Sequence, residues 1–219
     1  MTTRVTFQEA IGALRANVDW LGSLAEEAVR GASTALLDAD TRRAEALIAG
    51  DDDIDGLFVT LEQEAYHLIA SQAPVAADLR FLVSSLRVMA DWERTGGLAV
   101  WVACLAAEPW DREPGTMAIL REMADGALAL VAEARAAWSQ KDLERAEGLV
   151  RRDNALDGGY ARLTAHLLTR SGPDAAGLVM HAHLAGRHFD RIADHAVAVA
   201  DRVVYMLTGK LALRTTSTG

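Results

Sequence analysis

The residues with the clearest chemical potential are carboxylates spaced four positions apart. Three pairs of aspartates share this spacing: Asp51 with Asp55, Asp153 with Asp157, and Asp190 with Asp194. Residues four apart lie on the same side of a helix, so each pair repels itself when both members are ionised and unpaired. Such a pair suggests a bound cation, a partner helix with basic residues, or a well-hydrated surface.

The last pair lies on a strongly amphipathic stretch. Apolar residues recur there at helical spacing, namely Leu178, Ala182, Ala185, Phe189, Ile192, Ala196, Val199, Val203 and Leu207. A narrow arc on the opposite side carries the polar residues His183, Arg187, Asp190, Asp194 and Asp201. The pattern predicts one long helix that buries one face and presents carboxylates on the other.

Composition limits the class of protein. The chain has 219 residues, only 4 prolines and a formal net charge of −9, which favours a nearly all-helical fold and makes nonspecific binding to nucleic acid or an anionic membrane improbable. The single cysteine, Cys104, excludes an intramolecular disulfide. The first residues lack the apolar region of a signal peptide, and the longest apolar run, 98–107, is too short to span a membrane. We expect a soluble, cytoplasmic protein.

Turn and capping signals divide the chain into six helices. Their expected ranges are about 8–35, from a cap at Asp38 or Asp40 to 71, 74–107, 116–138, 139–170 and 174–207. The strongest break is 108–115, with two prolines and a glycine. Pro74 is expected in the first turn of the third helix, and Ser139 with Asp142 resembles a capping box for the fifth.

The two halves are copies of one unit. Segments 44–56 and 146–158 are identical at six of thirteen positions, where ordinary residue frequencies give roughly one. A later segment that begins at Glu93 aligns with the one that begins at Asp190. We therefore predict two tandem three-helix bundles, at residues 1–110 and 111–209, followed by a disordered tail at 210–219.

The repetition strengthens the case for a metal site. Antiparallel neighbours in a bundle can bring acids of the second and third helices of each unit around one point. Carboxylate oxygens suit hard cations such as Mg²⁺, Mn²⁺ or iron. His183 and Asp201 share the acidic arc of the last helix and are candidates for an additional ligand.

Several motifs resemble the PhoU family of phosphate-uptake regulators. They are the segments 74–80, 93–96, 190–196 and 203–209, and the likeness extends from about Phe7 to Gly209. The resemblance implies a cytoplasmic negative regulator that connects the phosphate-specific ABC transporter to its sensor histidine kinase, and a homodimer. It also implies metal clusters, with iron, Zn, Mg or Mn as candidate ions. The implied ligands are Asp153, Asp157, Asp190 and Asp194 in the second unit, and Asp51, Asp55 and Glu93 in the first.

The first unit departs from this pattern, because Gly97 stands where the family has its second carboxylate after Glu93. Two glycines within a helix cost roughly 1–2 kcal/mol relative to alanines, and Gly96-Gly97 therefore suggests a close helix contact or a kink. Our hypothesis is that the second unit keeps a metal-competent site and that the first has lost or weakened its own.

Two other readings stay open. A metal-free helical adaptor for another phosphate transporter needs none of the acids. A carboxylate di-metal enzyme needs two Glu-x-x-His motifs, and the chain has one, at Glu64 and His67. No glycine-rich phosphate loop and no nucleophile–base arrangement is evident from spacing, so we expect a protein that is not an enzyme.

Overall fold

The structure is a computed structural model that describes residues 2–50, 52–151, 154–173 and 175–210, with side chains described from residue 7 and not for 151–157. Eight helices and no strand occur in these ranges. Their bounds are α1 Thr2–Asp38, α2 Thr41–Ala49, α3 Asp52–Gln72, α4 Ala76–Ala107, α5 Pro114–Gln140, α6 Leu143–Arg151, α7 Asn154–Leu167 and α8 Ala175–Thr208. The prediction of an all-α fold is confirmed. The predicted tail lies outside the described residues, except Lys210.

Apolar periodicity sets which face each long helix buries. On α1, seven apolar residues recur at helical spacing and are at most 5% exposed: Ile11, Leu14, Val18, Leu21, Ala25, Val29 and Ala32. On α8, the residues of the apolar stripe from Leu178 to Val203 are buried, and Leu207 at the end of the stripe is half-buried. These side chains belong to one continuous core, so the two predicted units share a single hydrophobic interior. The unit boundaries at 110 and 111 stay a prediction; the connection between α4 and α5 is residues 108–113.

The second helix of the first unit is divided, and the prediction of one continuous helix over 40–71 is wrong. Ahead of the break, α2 ends at Ala49, and the N–H of the capping residue Gly50 bonds to the Leu47 carbonyl at 3.2 Å. Helix α3 starts again at Asp52. In the second unit α6 is described to Arg151 and α7 from Asn154, and the two residues between them lie outside the described ranges.

Equivalent capping residues precede α2 and α6. Ala39 and Lys141 adopt φ values of 55° and 53°, which turn the chain out of α1 and α5. The next residue then caps the following helix: Asp40 accepts from the Arg43 N–H at 3.1 Å, and Asp142 from the Arg145 N–H at 3.0 Å. The capping role expected for Ser139 is not observed, because α5 continues past it to Gln140. These short side chains satisfy N–H groups that a helix start leaves unpaired.

The start of α4 also differs from its prediction. Pro74 lies in the connection 73–75, and α4 begins at Ala76 with Val75 as its cap. Pro114, in contrast, is the first residue of α5, where a missing N–H costs nothing.

The helix contacts repeat in the two halves. Helices α1, α2, α3 and α4 contact one another as α5, α6, α7 and α8 do, and α4·α8 and α1·α5 join the halves. Each joining contact pairs a helix with its own repeat equivalent, as expected for two units related by a pseudo-twofold axis. Among the residues described here, no helix combines the length and apolar character required to cross a membrane.

Candidate functional site

The acids of α8 lie in two different environments. Asp190 is only 8% exposed, and its Oδ2 accepts a hydrogen bond from Arg187 Nη1 at 2.7 Å. Asp194, one turn further, is exposed. The low exposure of Asp190 was not expected on a polar arc. It arises because α8 contacts α4, α5, α6 and α7, which leaves little of its circumference open to water.

Of the partner acids of the second unit, Asp157 belongs to α7. Helix α7 packs against α8 through the contacts of Tyr160 with His183 and of Leu163 with Gly186. Asp153 and the side chain of Asp157 lie outside the described residues, so the four-carboxylate cluster stays a prediction.

The two additional candidates have other surroundings. His183 is exposed, and the Tyr160 hydroxyl lies 3.2 Å from its Nε2. Asp201 is half-buried, two turns beyond Asp194 on α8. Among the side chains that are described, no three of the His, Cys, Asp and Glu residues are grouped closely enough to hold a metal ion. Both predicted sites require acids outside that set, so they are not tested by this finding.

In the first unit, Asp55 is exposed on α3 and Glu93 is half-buried on α4, while Asp51 is not among the described residues. The neighbouring glycines differ sharply. A Cβ on Gly96 would lie 2.8 Å from Ile54 Cδ1, whereas one on Gly97 would meet no atom within 4 Å. The predicted close contact is thus confirmed for Gly96, which lets α3 approach α4. Gly97 has no such packing reason.

A buried polar pair that the sequence did not reveal joins the halves. Asp91 on α4 and His195 on α8 approach to 3.0 Å between Oδ1 and Nδ1, and both side chains are at most 15% exposed. His188 lies nearby on α8, and its ring stacks on Trp101 with centroids 6.5 Å apart. Burial, and secondarily the charge of Arg191, lowers the pKa of His188. The available signal was Asp91, the one charged residue among the buried residues of α4.

A second polar link crosses between α1 and α5. Arg135 Nε donates to Glu26 Oε2 at 2.8 Å, and Arg135 Nη1 lies 3.6 Å from Asp19. The hydrogen bond to Glu26 is the main cause that raises the pKa of Arg135. Residues 109 positions apart carry no sequence signal for such a pair, since either could equally well face solvent.

The start of α5 carries a third cluster. Glu113 caps the helix through the N–H groups of Gly115 and Thr116, at 3.0 and 2.7 Å. His166 and Arg170, at the end of α7 and just beyond it, approach the same carboxylate to 3.3 and 3.5 Å. Hydrogen bonds from Thr116 are the main cause that lowers the pKa of Glu113 to about 2. This cluster fastens the end of α7 to the start of α5.

Comparison with known proteins gives matches across nearly the whole chain. The family model described as PhoU domain matches twice, at residues 18–106 and 120–203. A Mycobacterium tuberculosis protein named phosphate-specific transport system accessory protein PhoU homolog 1 is 34% identical over 211 residues, covering 95% of this chain and 96% of the relative. The Caulobacter vibrioides PhoU homolog is 30% identical, with coverages of 94% and 91%.

Solved structures agree with these matches. The crystal structure of PhoU from Pseudomonas aeruginosa superposes with a TM-score of 0.89 at 28% identity, covering 93% of this chain and all of that one. The Streptococcus pneumoniae regulatory protein PhoU shares the fold, with a TM-score of 0.84 at 24% identity and coverages of 94% and 98%. With both halves matched and the fold shared end to end, the chain belongs to the PhoU domain family.

Proposed function

We propose that this protein is a cytoplasmic negative regulator of phosphate uptake and of the phosphate-starvation response. It acts by contact with the ATPase of the phosphate-specific ABC transporter and with the sensor histidine kinase. The observation that carries the proposal is the double family match, at 18–106 and 120–203, together with relatives named as accessory proteins of the phosphate-specific transport system.

A rigid body suits a protein that acts by docking. The four long helices α1, α4, α5 and α8 share one core, and Asp91–His195 and Glu26–Arg135 link the halves. With a net charge of −9, the surface favours basic docking partners. Such a body can transmit contact at one end to the other without internal rearrangement.

Bound metal is part of the proposal. Asp153, Asp157, Asp190 and Asp194 would hold the favoured site, and Asp51, Asp55 and Glu93 a weaker one. Iron, Zn, Mg or Mn would neutralise the crowded carboxylates and shape the surface there. The proposal is supported by the placement of Asp190 and Asp194 one turn apart on α8, with α7 packed alongside.

A metal-free adaptor is the second candidate, and the ion pair between Arg187 and Asp190 favours it. A guanidinium 2.7 Å from the carboxylate already supplies the positive charge that a metal would bring. A regulatory role is preferred over an enzymatic one, because the matched relatives are named accessory proteins and because His67 of the single Glu-x-x-His motif is exposed. A homodimer is proposed on family resemblance alone.

Deletion of the gene, followed by measurement of phosphate uptake and alkaline phosphatase output in phosphate-rich medium, tests the regulatory role. Both should rise and return to normal with the wild-type gene. Unchanged values in the deletion strain would contradict the proposal. Co-purification with the transporter ATPase and the kinase then tests the contact itself. Retained binding by the double variant Asp190→Ala, Asp194→Ala would favour the metal-free adaptor, and lost binding the metal-dependent form.

A further inference from the structure

A small cavity lies in the groove between α4 and α8. Its volume is about 180 Å³, and the residues that line it are Val83, Ser84, Arg87, Arg202 and Tyr205. The helices are antiparallel here, as shown by the pairing of Asp91 with His195 and of Arg80 with Met206. Ser84 and Arg202 face each other midway between these two contacts.

The charge around this cavity is positive. Arg87 is exposed and Arg202 half-buried, and neither forms an ion pair with any residue in the described ranges. Arg80, one turn before Ser84, adds a third guanidinium, which bonds to the Met206 carbonyl at 3.4 Å. The acid one turn beyond Arg87 is Asp91, and its Oδ1 is held by His195 at 3.0 Å. A second acid, Asp201, directly precedes Arg202 on α8 and is half-buried.

The cavity also offers hydroxyl groups. The side chain of Ser84 is fully buried, and its Oγ has no hydrogen-bond partner among the described atoms. The adjacent Ser85 shows the usual arrangement, with its Oγ bonded to the Phe81 carbonyl at 2.9 Å. A buried hydroxyl without a partner is destabilising, so Ser84 has a donor to offer. Tyr205, half-buried on the same wall, supplies a second hydroxyl.

We propose that this cavity binds a small tetrahedral oxyanion, either orthophosphate or the phosphate group of a small metabolite. Two guanidinium groups donate to its oxygens from opposite helices, and guanidinium geometry matches phosphate well. The volume is roughly six times the ~30 Å³ that a water molecule occupies in the liquid, which is room for one such ion and too little for a peptide segment. The inference does not depend on the regulatory role proposed above.

The other repeat does not reproduce this site. The repeat-equivalent residues are Met180, His181, Leu184, Leu105 and Glu108. Both arginines are replaced by leucines, and His181 stacks on Trp110 with ring centroids 5.7 Å apart. The proposal therefore predicts one oxyanion per chain.

Calorimetric titration of the full-length protein with orthophosphate and with ribose 5-phosphate, at constant ionic strength, tests the proposal. We expect saturable binding of one equivalent per chain to at least one of them. Tighter binding of orthophosphate identifies the free ion as the ligand. Tighter binding of ribose 5-phosphate identifies a phosphorylated metabolite as the ligand. Arg87→Gln and Arg202→Gln should each weaken binding at least tenfold, since each removes a charge-assisted hydrogen bond.

Two further arginines provide matched controls. Arg94 and Arg191 are exposed and occupy equivalent positions on α4 and α8, and neither lines the cavity. Arg94→Gln and Arg191→Gln should change affinity less than threefold, because only screened, long-range attraction is lost. The proposal is overturned if wild-type protein shows no saturable binding, or if the control substitutions weaken binding as much as Arg87→Gln. Unchanged binding in Arg202→Gln with an unchanged melting temperature also overturns it, as does binding only to an acidic protein partner.

Discussion

Helices α4 and α8 occupy equivalent positions in the two repeats and have diverged in their polar residues. On α8, Asp190 and Asp194 stand one turn apart beside Arg187, whereas on α4 the equivalent positions hold Glu93 and Gly97. Gly96 admits Ile54 from α3 into close contact. The pair of carboxylates one turn apart is thus present on α8, while on α4 one of the two equivalent positions is a glycine.

The contact between these helices breaks the symmetry as well. The repeat equivalents of Asp91 and His195 are His188 and Leu98, so the hydrogen-bonded Asp91–His195 pair on one side is matched by a stacked histidine on the other. A single chain with two repeats is free of the constraint that identical subunits face, where every substitution occurs twice. This freedom allows a cavity lined by two arginines, and an aspartate pair one turn apart, each to arise once in a duplicated unit.

The largest expected effect concerns metal binding by the second repeat. Asp190→Asn with Asp194→Asn should lower metal affinity by about a hundredfold or more, since the loss of groups that only support ligands already costs 10–100-fold. Glu93→Gln, in the other repeat, should leave most of the bound metal. Elemental analysis of protein purified without chelators measures both. Equal losses of metal in the two variants would contradict the proposed difference between the repeats. Wild-type protein that contains no metal would contradict metal binding by either repeat.

The next largest effect is expected from a substitution that disturbs the packing of α7 against α8. Gly186→Val places a side chain against Leu163 Cδ2, in space that is already filled, and should lower the free energy of unfolding by about 2 kcal/mol. In the other repeat the equivalent residue is the buried Met89. Urea unfolding measures the change. Gly177→Val on the same helix, with no atom within 4 Å of its Cβ, is the control and should be nearly neutral.

The stability contributed by the start of α5 should depend on pH through Glu113. The equivalent position in α1 is Ile11, which does not ionise. The folded-state pKa of Glu113 is about 2, below its ordinary value of 4.5. Its contribution to stability is therefore complete above about pH 4.5 and lost as pH falls toward 2. Glu113→Gln should lower the melting temperature at pH 7 and converge with wild type near pH 2. A difference in melting temperature that stays constant from pH 7 to pH 2 would show that the charge of Glu113 does not contribute to stability.

The smallest effect is expected at Gly97. Gly97→Ala should raise the free energy of unfolding by up to about 1 kcal/mol, because alanine is the better helix former and its Cβ enters open space. In Gly96→Ala the new Cβ would lie 2.8 Å from Ile54 Cδ1. This substitution should raise the free energy of unfolding by less than Gly97→Ala does, or lower it. Thermal melts of the two variants compare them directly. Equal gains would mean that Gly96 is not required for the approach of α3.

Much of the fold followed from local signals. The apolar spacing of α1 and α8 identified their buried faces correctly, because a helix that packs on a core must repeat its apolar residues at its own period. The division of the second helix was missed. Gly50 was the available signal, yet an isolated glycine is often tolerated within helices. The second-unit acids stay a prediction, since Asp153 and the Asp157 side chain are not among the described residues.

The sequence alone determined that this protein is helical, duplicated and acidic, since periodicity, repetition and charge are properties of the chain itself. Only the tertiary structure decided that Asp91 pairs with His195, that Arg135 pairs with Glu26, and that Arg87 and Arg202 share one cavity. Each of these contacts joins residues roughly a hundred positions apart. Their meeting depends on how whole helices pack, and no local pattern of residues encodes that.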